Sequence, residues 1–289
     1  MSKTDNVAAK SDNTKAKQMV KKGLRLNEER GPENRDDPKM KQSGIKLTSA
    51  TQELIYKAIS KAQTSMRRAH RKNPMRGEIW KGIRHKNLSR EARYFLMMLT
   101  HNAYMIGTNW HCFDKHELQE RATCKKCRET ESLEHILTTC RCNGQEIIWN
   151  LANEAWEKKG YNWRKPDLGD ILTCALPKFN KNKNEEGDLR FYRMLISESA
   201  RLIWLIRNNW VINEQAQELS ETEIRNKWIS VMNKQLTLDQ DMTHHRFEKK
   251  ALSKSLVLKT WAKVLLNENE LNEDWTSQGC KVLVGIWPR

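Results

Sequence analysis

Apolar positions recur at three-to-four residue spacing through most of this chain, the pattern of helices with one buried face. The clearest stripe follows Ser89. Ala92, Phe95, Leu96, Leu99, Ala103 and Ile106 share a side, Ser89 is a natural N-cap and Gly107 a natural terminator. A second stripe runs from Gln145 to Lys159, with Ile147, Ile148, Leu151, Ala155 and Trp156 inward and Gly160 behind it. The longest spans Asp188 to about Glu214 and carries Phe191, Leu195, Ile196, Leu202, Ile203, Leu205, Ile206 and Trp210. Two more helices are predicted near 222–235 and 252–266, and another after Thr51, where Leu54, Ile55, Ala58 and Ile59 repeat before a basic end that stops at Pro74. Only Lys281 to Ile286 alternates as a strand does. The fold class is therefore mainly α, and no period of about 20 to 50 residues suggests a solenoid.

Composition divides this helical body. Residues 1–48 are rich in Lys, Asn, Asp and Ser and poor in branched and aromatic side chains, so burial there does not offset the entropy of ordering, and a disordered basic arm is expected. A basic helical region (49–110), a cysteine- and histidine-rich region (111–160) and a C-terminal helical region (161–289) follow. The longest apolar runs, Tyr94 to Leu99 and Leu202 to Ile206, fall far short of the roughly 20 residues of a bilayer helix, and the N-terminus opens no apolar signal core. A nuclear or cytoplasmic, intracellular protein without a membrane partner is expected.

Charge narrows the partner. Lys and Arg number 52 against 36 Asp and Glu, a formal net charge of +16, so the chain attracts polyanions. From Glu53 to Arg93 twelve Lys and Arg face three Glu. Arg67, Arg68, Arg71, Lys72, Arg76, Lys81, Arg84 and Lys86 are the candidates to track a phosphate backbone of RNA or DNA, against the alternative of a solvated helix face. The eleven tryptophans sit mostly on the apolar stripes and are expected in the core, with Trp80 and Trp110 as candidate stacking platforms for unpaired bases.

The cysteines carry the sharpest signal. Five of seven lie between residues 112 and 142 in a chain with no export signal, which favours metal ligation over disulfides. Cys124 and Cys127 at i and i+3 fit a tight turn around a tetrahedral zinc ion, and His135 and Cys140 supply the second pair. Thr130 or Ser132 caps the helix that carries His135. His135 and Cys140 are five apart, about 140° on a straight helix, so that helix must end or distort near Thr138-Thr139. Four protein ligands leave no open position, so the zinc is expected to be structural. His111, Cys112, His116 and Cys142 are spare donors read as ordinary residues. Lys125, Lys126, Arg128 and Arg141 surround the set, and the first three are candidate phosphate contacts.

The spacing Cys124, Cys127, His135, Cys140, with His135-Ile-Leu inside it and Ile148-Trp149-Asn-Leu151 after it, resembles the zinc-binding region at the C-terminus of reverse-transcriptase polyproteins of fungal non-LTR retrotransposons. Ile79-Trp80-Lys-Gly-Ile83-Arg84-His85-Lys86, Arg93-Tyr94-Phe95-Leu96, His101, Gly107 and Trp110 are similar to the block just upstream in that family, with Met97 in place of a tryptophan. Arg201-Leu-Ile-Trp204, Leu256 to Trp261, Leu265-Leu266-Asn267-Glu268, Trp275 and Val282 to Ile286 are similar to its end, so the resemblance covers roughly residues 45–289. It implies a region that grips template RNA or target DNA in a polyprotein in which a reverse transcriptase domain and often a ribonuclease H domain precede it. Val20 to Gly31 is similar to the last stretch of a ribonuclease H domain, but Gly31 stands where the final metal-binding aspartate would be, so the arm is either a decayed remnant or a chance likeness. Polymerase and nuclease chemistry needs clustered carboxylates around two metal ions, and no paired-aspartate strand-turn motif is present. The reading is a non-enzymatic, zinc-stabilised nucleic-acid-binding module. The alternatives are a polyprotein fragment without independent activity and a zinc-dependent protein-interaction module.

Overall fold

A computed structural model describes residues 76–141, 144–177, 185–213, 217–277 and 280–285. Among them the architecture is helical with no strand: α1 (Arg76–Ile83), α2 (Arg90–Thr100), α3 (His116–Gln119), α4 (Gln145–Lys158), α5 (Leu168–Leu172), α6 (Glu185–Ile212), α7 (Glu221–Asp241) and α8 (Lys254–Trp261). The expected helix after Thr51 and the arm 1–48 lie outside the described residues.

Local chemistry sets the helix starts. The Ser89 hydroxyl accepts from the Ala92 amide 2.9 Å away and opens α2. Reciprocal capping boxes open α5, between Asp167 and Asp170, and α7, between Ser220 and Glu223. The ends are less local. The expected continuation of α2 to Gly107 is corrected: the helix stops at Thr100, because Asn102 takes a left-handed φ of 49° and turns the chain. Gly107 instead begins a 3-10 turn, Gly107–Cys112. The expected helix over 252–266 is likewise shorter, ending at Trp261, since Lys263 is left-handed with φ 71° and its amide donates to Glu268 at 2.8 Å.

The helix α6, about 42 Å long at 1.5 Å per residue, is the axis on which the rest is hung. It packs against α2, α4, α5, α7, α8 and the turn His135–Thr139. Trp149, Trp156, Trp204, Trp228, Trp261 and Trp275 are buried in one continuous core with Phe95, Phe191 and their aliphatic neighbours. The C-terminal segment is corrected from a strand to a single antiparallel bridge, Leu265 with Val284, flanked by Leu266–Leu283 and Gly285–Val264 backbone hydrogen bonds. The alternation in it is real, with Val282 and Val284 buried and Leu283 exposed, but nothing extends the ladder.

Candidate metal centre

The first two candidate ligands sit on a miniature hairpin. Thr123 and Thr130 form an antiparallel bridge, the Cys124 amide donates to the Glu129 carbonyl at 2.8 Å, and the Arg128 amide donates back to the Cys124 carbonyl at 2.9 Å. Closing so tight a turn forces Arg128 into the left-handed region, φ 60°. The Cys127 amide approaches the Cys124 sulfur to 3.5 Å, which favours negative charge on that sulfur.

The second pair comes from one turn of distorted helix. Ser132 accepts from the His135 amide at 3.0 Å, as expected of a capping residue there. The backbone then widens to a π turn over His135–Thr139, and the Cys140 amide donates to the His135 carbonyl at 2.7 Å, an i to i+5 bond. That widening resolves the 140° problem: residue i+5 is stacked over residue i, and Cys140 leaves in an extended conformation.

One ligand atom from each of Cys124, Cys127, His135 and Cys140 lies within 4.8 Å of the others, so the four could hold a metal ion. The Cys124 and Cys140 sulfurs are 3.7 Å apart. A disulfide needs about 2.05 Å, whereas two sulfurs on a tetrahedral ion with bonds of about 2.3 Å are about 3.8 Å apart. The imidazole supplies the independent sign. Its Nδ1 lies 3.4 Å from the Glu129 carboxylate and 3.4 Å from the Thr139 hydroxyl, while Nε2 is buried without a hydrogen-bond partner. A proton held on Nδ1 by a carboxylate leaves Nε2 as a lone pair, the arrangement seen around metal-bound histidines. A buried nitrogen with nothing to bond to is costly unless it has a ligand. The residues present fit a metal ion.

The centre is anchored from behind by a pair that spacing rules do not reveal. Arg207 of α6 is fully buried and its guanidinium forms a forked ion pair with the buried carboxylate of Glu131, the residue just before the capping Ser132. Burial lowers the Arg207 pKa to about 10, against the opposing field of the Cys124 sulfur, so it stays protonated at neutral pH. Trp210, one turn on, packs against the cysteines, and the Lys125 ammonium lies 5.6 Å over its ring. The signal for Arg207 in the sequence is a lone cation inside the apolar run Leu202 to Trp210; its partner 76 residues earlier has none.

Among the other candidates, Lys125, Lys126 and Arg128 are exposed on the hairpin, with Lys126 paired to Glu218 at 2.5 Å. Lys81, Arg84 and Lys86 are exposed on α1 and the loop after it, and Arg76 begins α1. Arg67, Arg68, Arg71 and Lys72 lie outside the described residues, as does Cys142. His111, Cys112 and His116 are exposed and are not part of the donor group. Of the two proposed stacking platforms, Trp110 is buried, and Trp80 is half-buried with its ring 5.2 Å from that of His101.

No helix among the described residues is long and apolar enough to cross a membrane. Comparison of the chain with protein-family models, with curated proteins and with solved structures finds no match.

Proposed function

We propose that the chain is a non-enzymatic nucleic-acid-binding module in which a structural zinc ion, held by Cys124, Cys127, His135 and Cys140, fixes a cationic helical body. The observation that carries the reading is the donor set itself, three sulfurs and one imidazole nitrogen of the buried His135, whose Nε2 has no hydrogen-bond partner, around one point. That composition suits zinc and fills its tetrahedral shell, which favours a cross-link over a Lewis acid with an open position. The zinc joins the hairpin, whose Lys125, Lys126, Arg128 and Glu129 face solvent, to a turn already seated in the core through Leu133, Ile136 and Leu137.

The cations supply the grip. Between residues 81 and 93, Lys81, Arg84, Lys86, Arg90 and Arg93 are exposed against a single acid, Glu91, and none of the five makes an ion pair among the described residues. Unneutralised surface cations at this density bind phosphates through counterion release. The resemblance to the C-terminal region of retrotransposon reverse transcriptases supports the same reading and makes template RNA or target DNA the natural ligand.

Elemental analysis of the purified full-length protein, with a chelator-treated control, is expected to give one equivalent of zinc. Titration with RNA and single-stranded DNA is expected to show binding at 50 mM salt that weakens about a hundredfold at 200 mM, the loss for roughly five phosphate contacts on a single strand. Protein without stoichiometric metal refutes the clasp, and absence of binding at low salt refutes the nucleic-acid reading.

A further inference from the structure

Between α2 and α6 lies a groove of about 460 Å³, within the range of roughly 300–1,000 Å³ typical of small-ligand sites. Its walls are Tyr94, Tyr104, Trp204 and Leu205, and Arg90 and Arg201 stand at its margin with Glu91. The Tyr104 and Trp204 rings meet at a tilt of 35° with centroids 4.1 Å apart. Tyr94 is 58 % exposed and Leu205 44 % exposed, large apolar surfaces left open to solvent on opposite walls.

We infer that this groove seats an unpaired base of single-stranded nucleic acid, stacked on Tyr94, with the adjoining phosphates on Arg90 and the cations that lead up to it. The inference rests on the nucleic-acid reading above and assigns it a place. Three observations select this occupant. The open walls are aromatic on one side and aliphatic on the other, the surface that suits a flat π-face whatever its sequence. The Tyr104 hydroxyl has no hydrogen-bond partner among the described residues. Burial and the neighbouring Tyr94 phenol push its pKa well above the ordinary tyrosine value, so it stays a neutral donor for a base edge. The rim is also continuous with an exposed series of cations, Arg84, Lys86, Arg90 and Arg93, so a strand entering the groove meets positive charge along its approach.

The groove also differs from a plain charged patch in what it discriminates. A duplex keeps its bases stacked internally and has none to offer, so only the charge-dependent part of binding is available to it. The test uses full-length, zinc-loaded protein and short oligonucleotides carrying one fluorescent purine analogue, in single-stranded and duplex form. The wild-type protein is expected to quench the analogue in the single strand. Tyr94→Ala is expected to lose the quenching and to weaken single-strand binding about tenfold or more, with duplex binding unchanged. Tyr94→Phe, which keeps the ring, is expected to restore both. The exposure of Tyr94 keeps the fold out of the comparison, and circular dichroism of each variant checks this. Wild-type quenching and affinity in Tyr94→Ala overturn the groove while leaving the wider reading intact. Equal losses for duplex and single strand also overturn it, because they show a contribution without stacking. A wild-type dimer that Tyr94→Ala dissociates makes the groove a self-interface instead. Failure of the wild-type protein to bind either oligonucleotide refutes the nucleic-acid reading itself.

Discussion

Replacing Glu131 by Gln removes one charge and keeps the shape of the side chain, so it isolates what the carboxylate does for Arg207. The side chains of the pair are 0 % and 2 % exposed, and α6 offers Arg207 no other anion, only the Asn208 side-chain carbonyl at 3.2 Å. At the 3.2 Å of the longer contact, a unit charge pair in an effective dielectric of about 20 is worth about 5 kcal/mol. Breaking one partner of a buried pair costs about 3–5 kcal/mol, because the survivor is left desolvated without compensation. In a chain this long each kcal/mol moves the melting temperature by about 2–4 °C, so Glu131→Gln is expected to melt roughly 6–20 °C lower. Replacing both partners with apolar residues, Glu131→Leu with Arg207→Met, is expected to recover much of that loss, since it removes the stranded charge. Urea unfolding of the zinc-loaded protein at neutral pH, followed by tryptophan fluorescence, measures both. A Glu131→Gln protein within about 1 kcal/mol of wild type would refute the reasoning, as would a double variant less stable than the single one.

Gly107→Ala is expected to destabilise the protein by about 1–3 kcal/mol through backbone strain alone and by more through the clash. The residue has φ 52°, and a Cβ there would stand 2.3 Å from the Glu131 carbonyl oxygen; thermal unfolding against a Thr108→Ala control checks it. His85 is held neutral, with its pKa lowered to about 4 first by burial and then by the charges of Arg193 and Lys86. In the window between 6.5 and about 4 the unfolded chain binds a proton that the folded chain refuses, so stability falls as pH drops through it. His85→Gln is expected to flatten that part of the pH profile, and equal slopes for both proteins between pH 4.5 and 6.5 would refute the assignment. Chelation is expected to raise hydrogen exchange in residues 123–130 far more than in 133–137. The hairpin contributes buried side chains only through its ligands, whereas Leu133, Ile136 and Leu137 belong to the main core. Uniform acceleration across both segments would place the metal's role in the whole domain.

What the chain discloses in advance follows the range of the interactions. The start of α2 is legible because Ser89 and its stripe lie within one turn of each other. The donor set is legible for the same reason: tetrahedral ligation leaves a short-range spacing in Cys124 and Cys127, and the five-residue gap to Cys140 announces that the helix must distort. The end of α2 is not legible, since Ala103 and Ile106 continue the stripe and only the left-handed Asn102 ends it. Ile106 is buried after all, on extended chain, so the periodicity marked burial correctly and the helix wrongly. The Glu131–Arg207 pair is not legible for a different reason: Arg207 stands out as a lone cation in an apolar run, but nothing marks Glu131, 76 residues earlier, as its partner. Trp80 and Trp110 were natural candidates for stacking by residue type, yet tryptophan's large apolar area draws it inward; the exposed aromatic face belongs to Tyr94.

The buried charges of α6 share a logic that extends beyond any one pair. Asp188 accepts from Lys159 at 3.0 Å and from the Tyr161 hydroxyl at 2.8 Å, which ties α6 to the end of α4. Arg190 forks onto Asp239 of α7, and Asp239 also accepts from the Trp261 indole of α8 at 2.8 Å. Glu198 takes the Ser89 hydroxyl at 2.6 Å and the Gln235 amide at 3.3 Å, tying in α2 and α7, and Arg207 holds Glu131. Apolar packing on a 28-residue helix tolerates sliding by a turn, because one aliphatic ridge resembles the next. Buried charges do not, since a displacement of about 5.4 Å would strand Asp188, Arg190 and Arg207 at once and leave Glu198 only Arg201 of its own helix. Each pair adds little net stability over an apolar replacement, but together they admit one register. That register places Arg201 and Trp204 on the groove, Arg207 on Glu131 and Trp210 against the cysteines, within three turns of the same helix. The Arg207 guanidinium lies 5.5 Å over the Trp204 ring and pairs with Glu131, the residue before the capping Ser132. The position of the aromatic groove relative to the candidate metal centre is thus fixed by buried ion pairs and hydrogen bonds along α6.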